Sequence, residues 1–134
     1  MRIVVAGATV STHQTLEALV RHGAEIVGVL QLRNESSHTV TAFSPLDELA
    51  EPHGIPCAKF RNINDSEIVE QVREWQPDLM FVVGLSQLVR GEMMSIPKRG
   101  CVGFHPTFLP AGRGRAPLAW LTLDGQPGAA TFFM

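Results

Sequence analysis

Short apolar runs alternate along this chain with longer segments in which apolar residues recur at helical spacing. Three such runs stand at residues 3–6, 26–30 and 79–83. A strand that reads as continuously apolar is buried on both faces, as in a parallel sheet covered by helices. Further short strands are expected at residues 54–58, 101–103 and 129–133. The pattern predicts an α/β fold, with a Rossmann-like, mostly parallel sheet and helices on both faces.

Start and stop residues place the helices between these strands. A first helix is expected at residues 12–22, because Gly23 is a natural C-terminal stop. Ser44, ahead of a proline, predicts the N-cap of a second helix. Asn64, with a glutamate three residues on, resembles the capping box of a third. Two more helices are expected at residues 90–95 and 116–123.

Composition narrows the class of protein. The chain has 134 residues, which is enough for one domain with a core of its own. Its net charge is −2 and it holds no run of lysine or arginine, so we expect no nucleic-acid binding by this domain alone. Two cysteines without metal-ligand spacing, and no apolar run of about 18 residues, predict a cytoplasmic protein without a membrane span. Nothing in the composition indicates an oligomeric state.

One histidine stands where a parallel sheet presents side chains to a ligand. His105 follows the strand predicted at residues 101–103 and precedes Pro106, whose ring restricts the backbone. Ligands of open α/β sheets bind in the crevice at the carboxyl ends of the strands. Imidazole titrates near neutral pH and serves there as an acid or a base. The position alone fits a packed or capping histidine equally well.

The residues around His105 carry a resemblance to a known family. The run from Gly103 to Pro110 reads GFHPTFLP, and the run from Arg113 to Trp120 reads RGRAPLAW. Together they resemble the catalytic segment of the 10-formyltetrahydrofolate-dependent formyltransferases, in which an HPSLLP-like turn leads into an RGRAP-like helix start. The second run is most similar to the amino-sugar-nucleotide and methionyl-tRNA branches. The resemblance implies an N-terminal catalytic domain over residues 1–134, and the final strand suggests that it is truncated at its C-terminal end.

The resemblance also implies roles for individual residues. His105 matches the catalytic histidine, 10-formyltetrahydrofolate is the implied formyl donor, and a small-molecule amine is the implied acceptor. Gly103 and Arg115 would meet the acceptor, and either Arg113 or Arg115 would meet an anionic group. No histidine has metal-ligand spacing, so no metal is expected. The implied donor-binding residues are Ser86, Gln87, Leu88, Val89, Thr107, Phe108, Leu109 and Pro110.

Two positions depart from the family pattern. Gly103 stands where the family commonly has an asparagine whose amide helps to hold the formyl oxygen. The family's catalytic aspartate follows the last strand of this sequence, and Asp124 is no substitute because it precedes that strand. Gly103 predicts less efficient formyl transfer. Without the aspartate, His105 lacks its orienting partner, so residues 1–134 alone are expected to be almost inert.

Five functions remain open on the sequence. Formyl transfer to the primary amine of an amino sugar nucleotide is the first choice, and methionyl-tRNA formyl transfer is an alternative of the same class. Gly103 also suggests a 10-formyltetrahydrofolate hydrolase or a non-catalytic folate-binding module. A nicotinamide-dependent oxidoreductase is suggested by the fold alone, because the turn at Gly7 lacks the Gly-x-Gly-x-x-Gly spacing.

Overall fold

A single six-stranded sheet organises the chain. The computed structural model describes the backbone of residues 1–134 and every side chain except that of Phe133. The strands are β1 (Arg2–Gly7), β2 (Glu25–Leu32), β3 (Cys57–Phe60), β4 (Leu79–Val82), β5 (Cys101–His105) and β6 (Thr131–Phe133). Their order is β3-β2-β1-β4-β5-β6, with the first five parallel and β6 antiparallel to β5. The predicted Rossmann-like, mostly parallel sheet is confirmed.

Helices cover both faces of the sheet. They are α1 (Val10–Arg21), α2 (Asp47–Ala50), α3 (Ser66–Trp75), α4 (Gly91–Met94) and α5 (Pro117–Leu123), and 3₁₀ turns occupy Asn34–Thr39 and Glu51–His53. Successive side chains of a strand point to opposite faces. Val4 accordingly packs in the cluster that holds Val72 of α3, whereas Val5 packs in the cluster that holds Leu16 of α1. Among the helices described, none combines the length and the apolar character needed to cross a membrane.

The crevice between β1 and β4 is closed by side chains. The strand order reverses here, because β2 and β3 lie on one side of β1 and β4 to β6 lie on the other. Open α/β sheets most often bind ligands at such a reversal. The Thr12 hydroxyl donates a hydrogen bond to the carbonyl oxygen of Val83 at 2.6 Å. Gly84 has φ +61°, and a Cβ there would lie only 1.9 Å from Thr9 Oγ1. Because Thr9 and Thr12 fill this gap, the space for a ligand lies further along the sheet edge.

Ser44 is not the N-cap of the second helix, contrary to the prediction. The helix α2 begins at Asp47, and the amides of Leu46 and Asp47 donate to the buried side-chain oxygen of Gln31, at 2.5 and 2.8 Å. The Ser44 hydroxyl lies 3.3 Å from His13 Nδ1 instead. Gln31 of β2 therefore accepts the hydrogen bonds of the amides at the start of this helix. Because Gln31 is 15 residues away from Leu46, the residues around Ser44 do not reveal this partner.

The predicted capping box at Asn64 is also wrong, and the third strand is displaced. The N-cap of α3 is Asp65, while the Asn64 side chain turns away towards residues 88–90. Strand pairing begins at Cys57, opposite Val29, rather than at residue 54, because residues 51–53 still form a 3₁₀ turn. The remaining predicted elements occur within a few residues of their expected bounds.

Candidate active site

Two loops leave the sheet side by side at the carboxyl ends of β4 and β5. Val82 pairs with Gly103 in parallel register, so the loop at residues 84–90 and the turn that begins at His105 emerge next to each other. Gly103 and His105 are two residues apart in β5 and therefore present to the same face. The sheet thus brings together the two segments that the sequence singles out.

His105 is oriented by a backbone carbonyl. Its half-buried ring lies with Nε2 3.0 Å from the carbonyl oxygen of Gly112. A carbonyl oxygen only accepts hydrogen bonds, so Nε2 carries the proton and donates it. In the neutral ring this leaves the lone pair on Nδ1. Within residues 1–134 the ring is thus oriented by the Gly112 carbonyl of the same turn. The expected need for the family's aspartate as the partner of His105 stays a prediction.

A compact turn holds the Gly112 carbonyl in place. The Thr107 side chain is 3% exposed, and its hydroxyl donates to the carbonyl oxygens of Ala111 and Gly112, at 3.1 and 3.2 Å. Gly112 has φ +65°, and a Cβ there would lie 2.9 Å from the Thr107 side chain. From β6, the Thr131 hydroxyl donates to the Thr107 carbonyl at 2.5 Å and accepts from the Leu109 amide at 3.3 Å. Thr107 therefore points into the turn, with its hydroxyl engaged there.

The remaining residues of this turn lie at the surface. Phe108 is 71% exposed, Pro110 is exposed and Leu109 is half-buried. Pro110 follows a cis peptide bond. Of the three residues, Phe108 presents the largest apolar surface beside His105.

The loop at residues 84–90 combines an anchored base with an exposed tip. Val89 packs against the core cluster, whereas Ser86 is exposed and Leu88 is 84% exposed. The Gln87 side chain points to the preceding turn, where its Nε2 donates to the Arg61 carbonyl at 2.7 Å. This loop therefore offers backbone and one large apolar side chain to a ligand.

An open cleft lies between this loop and the turn at residues 61–65. It has a volume of about 580 Å³. Its lining includes Leu88 and two arginines, Arg61 and Arg90, which are exposed. The sequence analysis did not identify either arginine. Arg61 follows β3 and Arg90 follows β4, and the two residues line one cleft only in the folded chain.

Arg113 and Arg115 are exposed and form no ion pair with any described residue. Arg113 follows Gly112, so this segment starts beside the His105 ring. Gly103 is buried within β5 and offers no side-chain donor to a ligand. No group of three or more His, Cys, Asp or Glu side chains among the described residues is arranged to hold a metal ion.

Comparison with known proteins identifies the family. A sequence profile described as formyl transferase matches residues 1–133. This chain belongs to the formyl transferase family. Methionyl-tRNA formyltransferases from Geotalea daltonii and Citrifermentans bemidjiense are 36% and 33% identical to it over 138 residues. Each alignment covers 100% of this chain but 44% and 43% of the relative, so the chain spans less than half the length of these curated relatives.

Solved structures show the same fold. Glycinamide ribonucleotide transformylase 1 from Geobacillus kaustophilus superimposes with a TM-score of 0.76 at 20% identity, over 98% of this chain and 72% of that one. A formyltetrahydrofolate deformylase from Pseudomonas syringae superimposes with a TM-score of 0.73 at 20% identity, over 98% of this chain and 44% of that one. At this level of identity the similarity establishes the architecture.

In this member of the formyl transferase family the start of α1 is poorly suited to a pyrophosphate. Dinucleotide-binding folds of this type offer free backbone amides at that helix start. Here the Thr9 amide donates to Thr12 Oγ1 at 3.2 Å, and the Val10 amide donates to the Ala42 carbonyl at 3.0 Å. These donors are already used within the chain, which argues against the nicotinamide-dependent alternative.

Proposed function

We propose that this protein transfers a formyl group from 10-formyltetrahydrofolate to a primary amine. The observation that carries the proposal is the arrangement of His105 at the open end of β5. Its Nε2 is held by the Gly112 carbonyl, and the loop at residues 84–90 leaves the neighbouring strand beside it. This arrangement occurs in a chain that belongs to the formyl transferase family.

The chemistry assigns a role to each nitrogen of His105. The acceptor nitrogen attacks the formyl carbon, a C–N bond forms, and the bond between that carbon and N10 of the donor breaks. The amine loses a proton and N10 gains one, so a group that moves a proton between them accelerates the step. In the neutral ring Nδ1 is the nitrogen that can take up this proton, while Nε2 remains bonded to Gly112. The Gly112 carbonyl also stabilises the imidazolium that forms.

The folate fits the surfaces around His105 by its shape and its charge. A planar pterin ring needs apolar walls and hydrogen bonds along its edge. Leu88 and Phe108 are exposed apolar side chains on the two loops that flank the site. The carboxylates at the other end of a folate would meet Arg61 and Arg90 in the adjoining cleft. The folate tail is assigned here rather than to Arg113 and Arg115.

Two acceptors are candidates, each on its own observation. The RGRAPLAW run, with Arg115 exposed after Gly112, favours the amine of an amino sugar nucleotide, whose phosphates an arginine can bind. The relatives that are 36% and 33% identical are methionyl-tRNA formyltransferases, which favours methionyl-tRNA. Gly103, which has no side-chain amide for the formyl oxygen, favours hydrolysis as the competing outcome.

Calorimetric titration of the full-length protein with 5-formyltetrahydrofolate and with NADH tests the donor assignment. We expect binding of the folate and no binding of NADH, because the amides at the start of α1 are occupied. Binding of NADH without binding of the folate would overturn the proposal. Formyl release from 10-formyltetrahydrofolate is then measured with an amino sugar nucleotide, with methionyl-tRNA and with water alone. The reaction with the highest kcat/KM for 10-formyltetrahydrofolate identifies the acceptor.

A further inference from the structure

Asn64 joins two loops through their backbones. Its Nδ2 donates to the Leu88 carbonyl at 2.9 Å, and its Oδ1 accepts from the Arg90 amide at 2.8 Å. These two backbone groups belong to residues i and i+2, the spacing that a neighbouring strand would satisfy in a sheet. The Asn64 side chain therefore replaces a strand neighbour for the loop at residues 84–90.

Gln87 makes the same connection in the opposite direction. Its Nε2 donates to the Arg61 carbonyl at 2.7 Å, and its Oε1 accepts from the Ile63 amide at 2.8 Å. Again the two backbone groups belong to residues i and i+2. The four hydrogen bonds of Asn64 and Gln87 form a reciprocal connection, which we call the amide clamp.

The clamp holds segments that the sheet does not hold. Residues 61–65 lie beyond β3, and residues 84–90 lie beyond β4, so neither segment has a partner strand. Asn64 is itself positioned by Asn62, whose Oδ1 accepts from the Asn64 amide at 3.0 Å and from Asn64 Nδ2 at 3.1 Å. Ile63 is fully buried beneath the clamp. The position of the exposed tip at Leu88 thus depends on two side-chain amides.

We infer that Asn64 and Gln87 are positioning residues that fix the loop at residues 84–90 in the conformation that binds the formyl donor. The inference rests on the proposed function, since it assigns this loop to the donor. A loop that is ordered before binding loses less conformational freedom when the ligand arrives, which strengthens binding. Loss of the clamp is therefore expected to weaken donor binding and to leave the chemistry at His105 unchanged.

Uncharged substitutions in the full-length protein test the clamp without repelling the carboxylates of a folate. Asn64→Ser and Gln87→Met each remove two of the four hydrogen bonds. We expect each to raise KM for the donor about tenfold, equivalent to about 1.4 kcal/mol, with kcat and the acceptor KM within twofold of wild type. The double variant should show less than the product of the two effects, because both residues hold one loop. Gln71→Met is the matched control, because among the described residues that side chain bonds only Glu74, on the same helix α3.

Hydrogen exchange in the ligand-free protein supplies a second readout. The Ile63 amide donates to Gln87 and the Arg90 amide donates to Asn64, so each amide reports on one half of the clamp. We expect either substitution to speed the exchange of both amides, whereas a purely local effect would speed one. If one variant fails to fold, the donor KM and the amide exchange of the other variant still test the inference, because each substitution breaks half of the clamp.

The outcomes separate the two proposals. A wild-type protein that neither binds nor uses the folate refutes the proposed function itself. A wild-type protein that uses the folate, with variants that keep the wild-type donor KM, refutes the clamp as a positioning device even if their melting temperature falls. A rise in donor KM that Gln71→Met reproduces refutes it as well.

Discussion

Replacing Gly7 with alanine would place a methyl group between β1 and β4. The added Cβ would lie 2.0 Å from the Val83 carbonyl oxygen and 2.2 Å from Thr12 Oγ1. Either the two strands separate, or the Thr12 hydroxyl leaves the carbonyl that it now contacts at 2.6 Å. Overpacking of a core costs about 1–3 kcal/mol. A lost internal hydrogen bond adds about 1 kcal/mol. We expect Gly7→Ala to lower the free energy of unfolding by about 2–4 kcal/mol.

Urea unfolding followed by circular dichroism measures this difference. Gly91→Ala is the matched control, because a Cβ at the first residue of α4 meets nothing within 4 Å. We expect the control to stay within about 0.5 kcal/mol of wild type. If Gly7→Ala proved as stable as the control, β1 and β4 would have room for a side chain at this point. Thr12 would then not close the crevice at this point.

Three further predictions concern His105, Thr107 and the Cys57 thiol. In the full-length protein, His105→Ala should lower turnover by about 10²–10⁴ and keep folate affinity within a few-fold. Near-normal turnover would make the histidine structural. Thr107→Val should cost about 1–3 kcal/mol in thermal unfolding, because it leaves the turn carbonyls without their donor, whereas Thr107→Ser should retain most of the stability. Burial raises the pKa of the Cys57 thiol to about 11, with the Asp47 charge adding to it. Roughly one thiol in a thousand is ionised at pH 8, so mass spectrometry should find slow alkylation by iodoacetamide in the native protein and fast alkylation in urea.

Local sequence signals predicted the elements of this fold correctly in two situations. Either the partners of a residue are close in sequence, or any apolar neighbour can serve as the partner. The apolar run around Val4 specifies a strand buried on both faces, and any covering helices satisfy that requirement. The positive φ of Gly23 fits the end of α1 in the same way. The predictions at Ser44 and Asn64 failed, because their partners, His13 and the backbone at residues 88–90, lie far along the chain.

The sequence by itself determined the α/β architecture and the segment that contains His105, since hydrophobic period and the residues around the histidine are properties of contiguous chain. Only the tertiary structure decided how that histidine is held, which residues line the adjoining cleft and that the crevice between β1 and β4 is closed. The Gly112 carbonyl accepts from both His105 and Thr107 because the turn folds back on itself. Arg61 and Arg90 line one cleft, and Asn64 and Gln87 bond each other's loops, because the segments after β3 and β4 come together. The physical reason is that a hydrogen bond or a steric contact depends on distance and direction, which no single segment specifies.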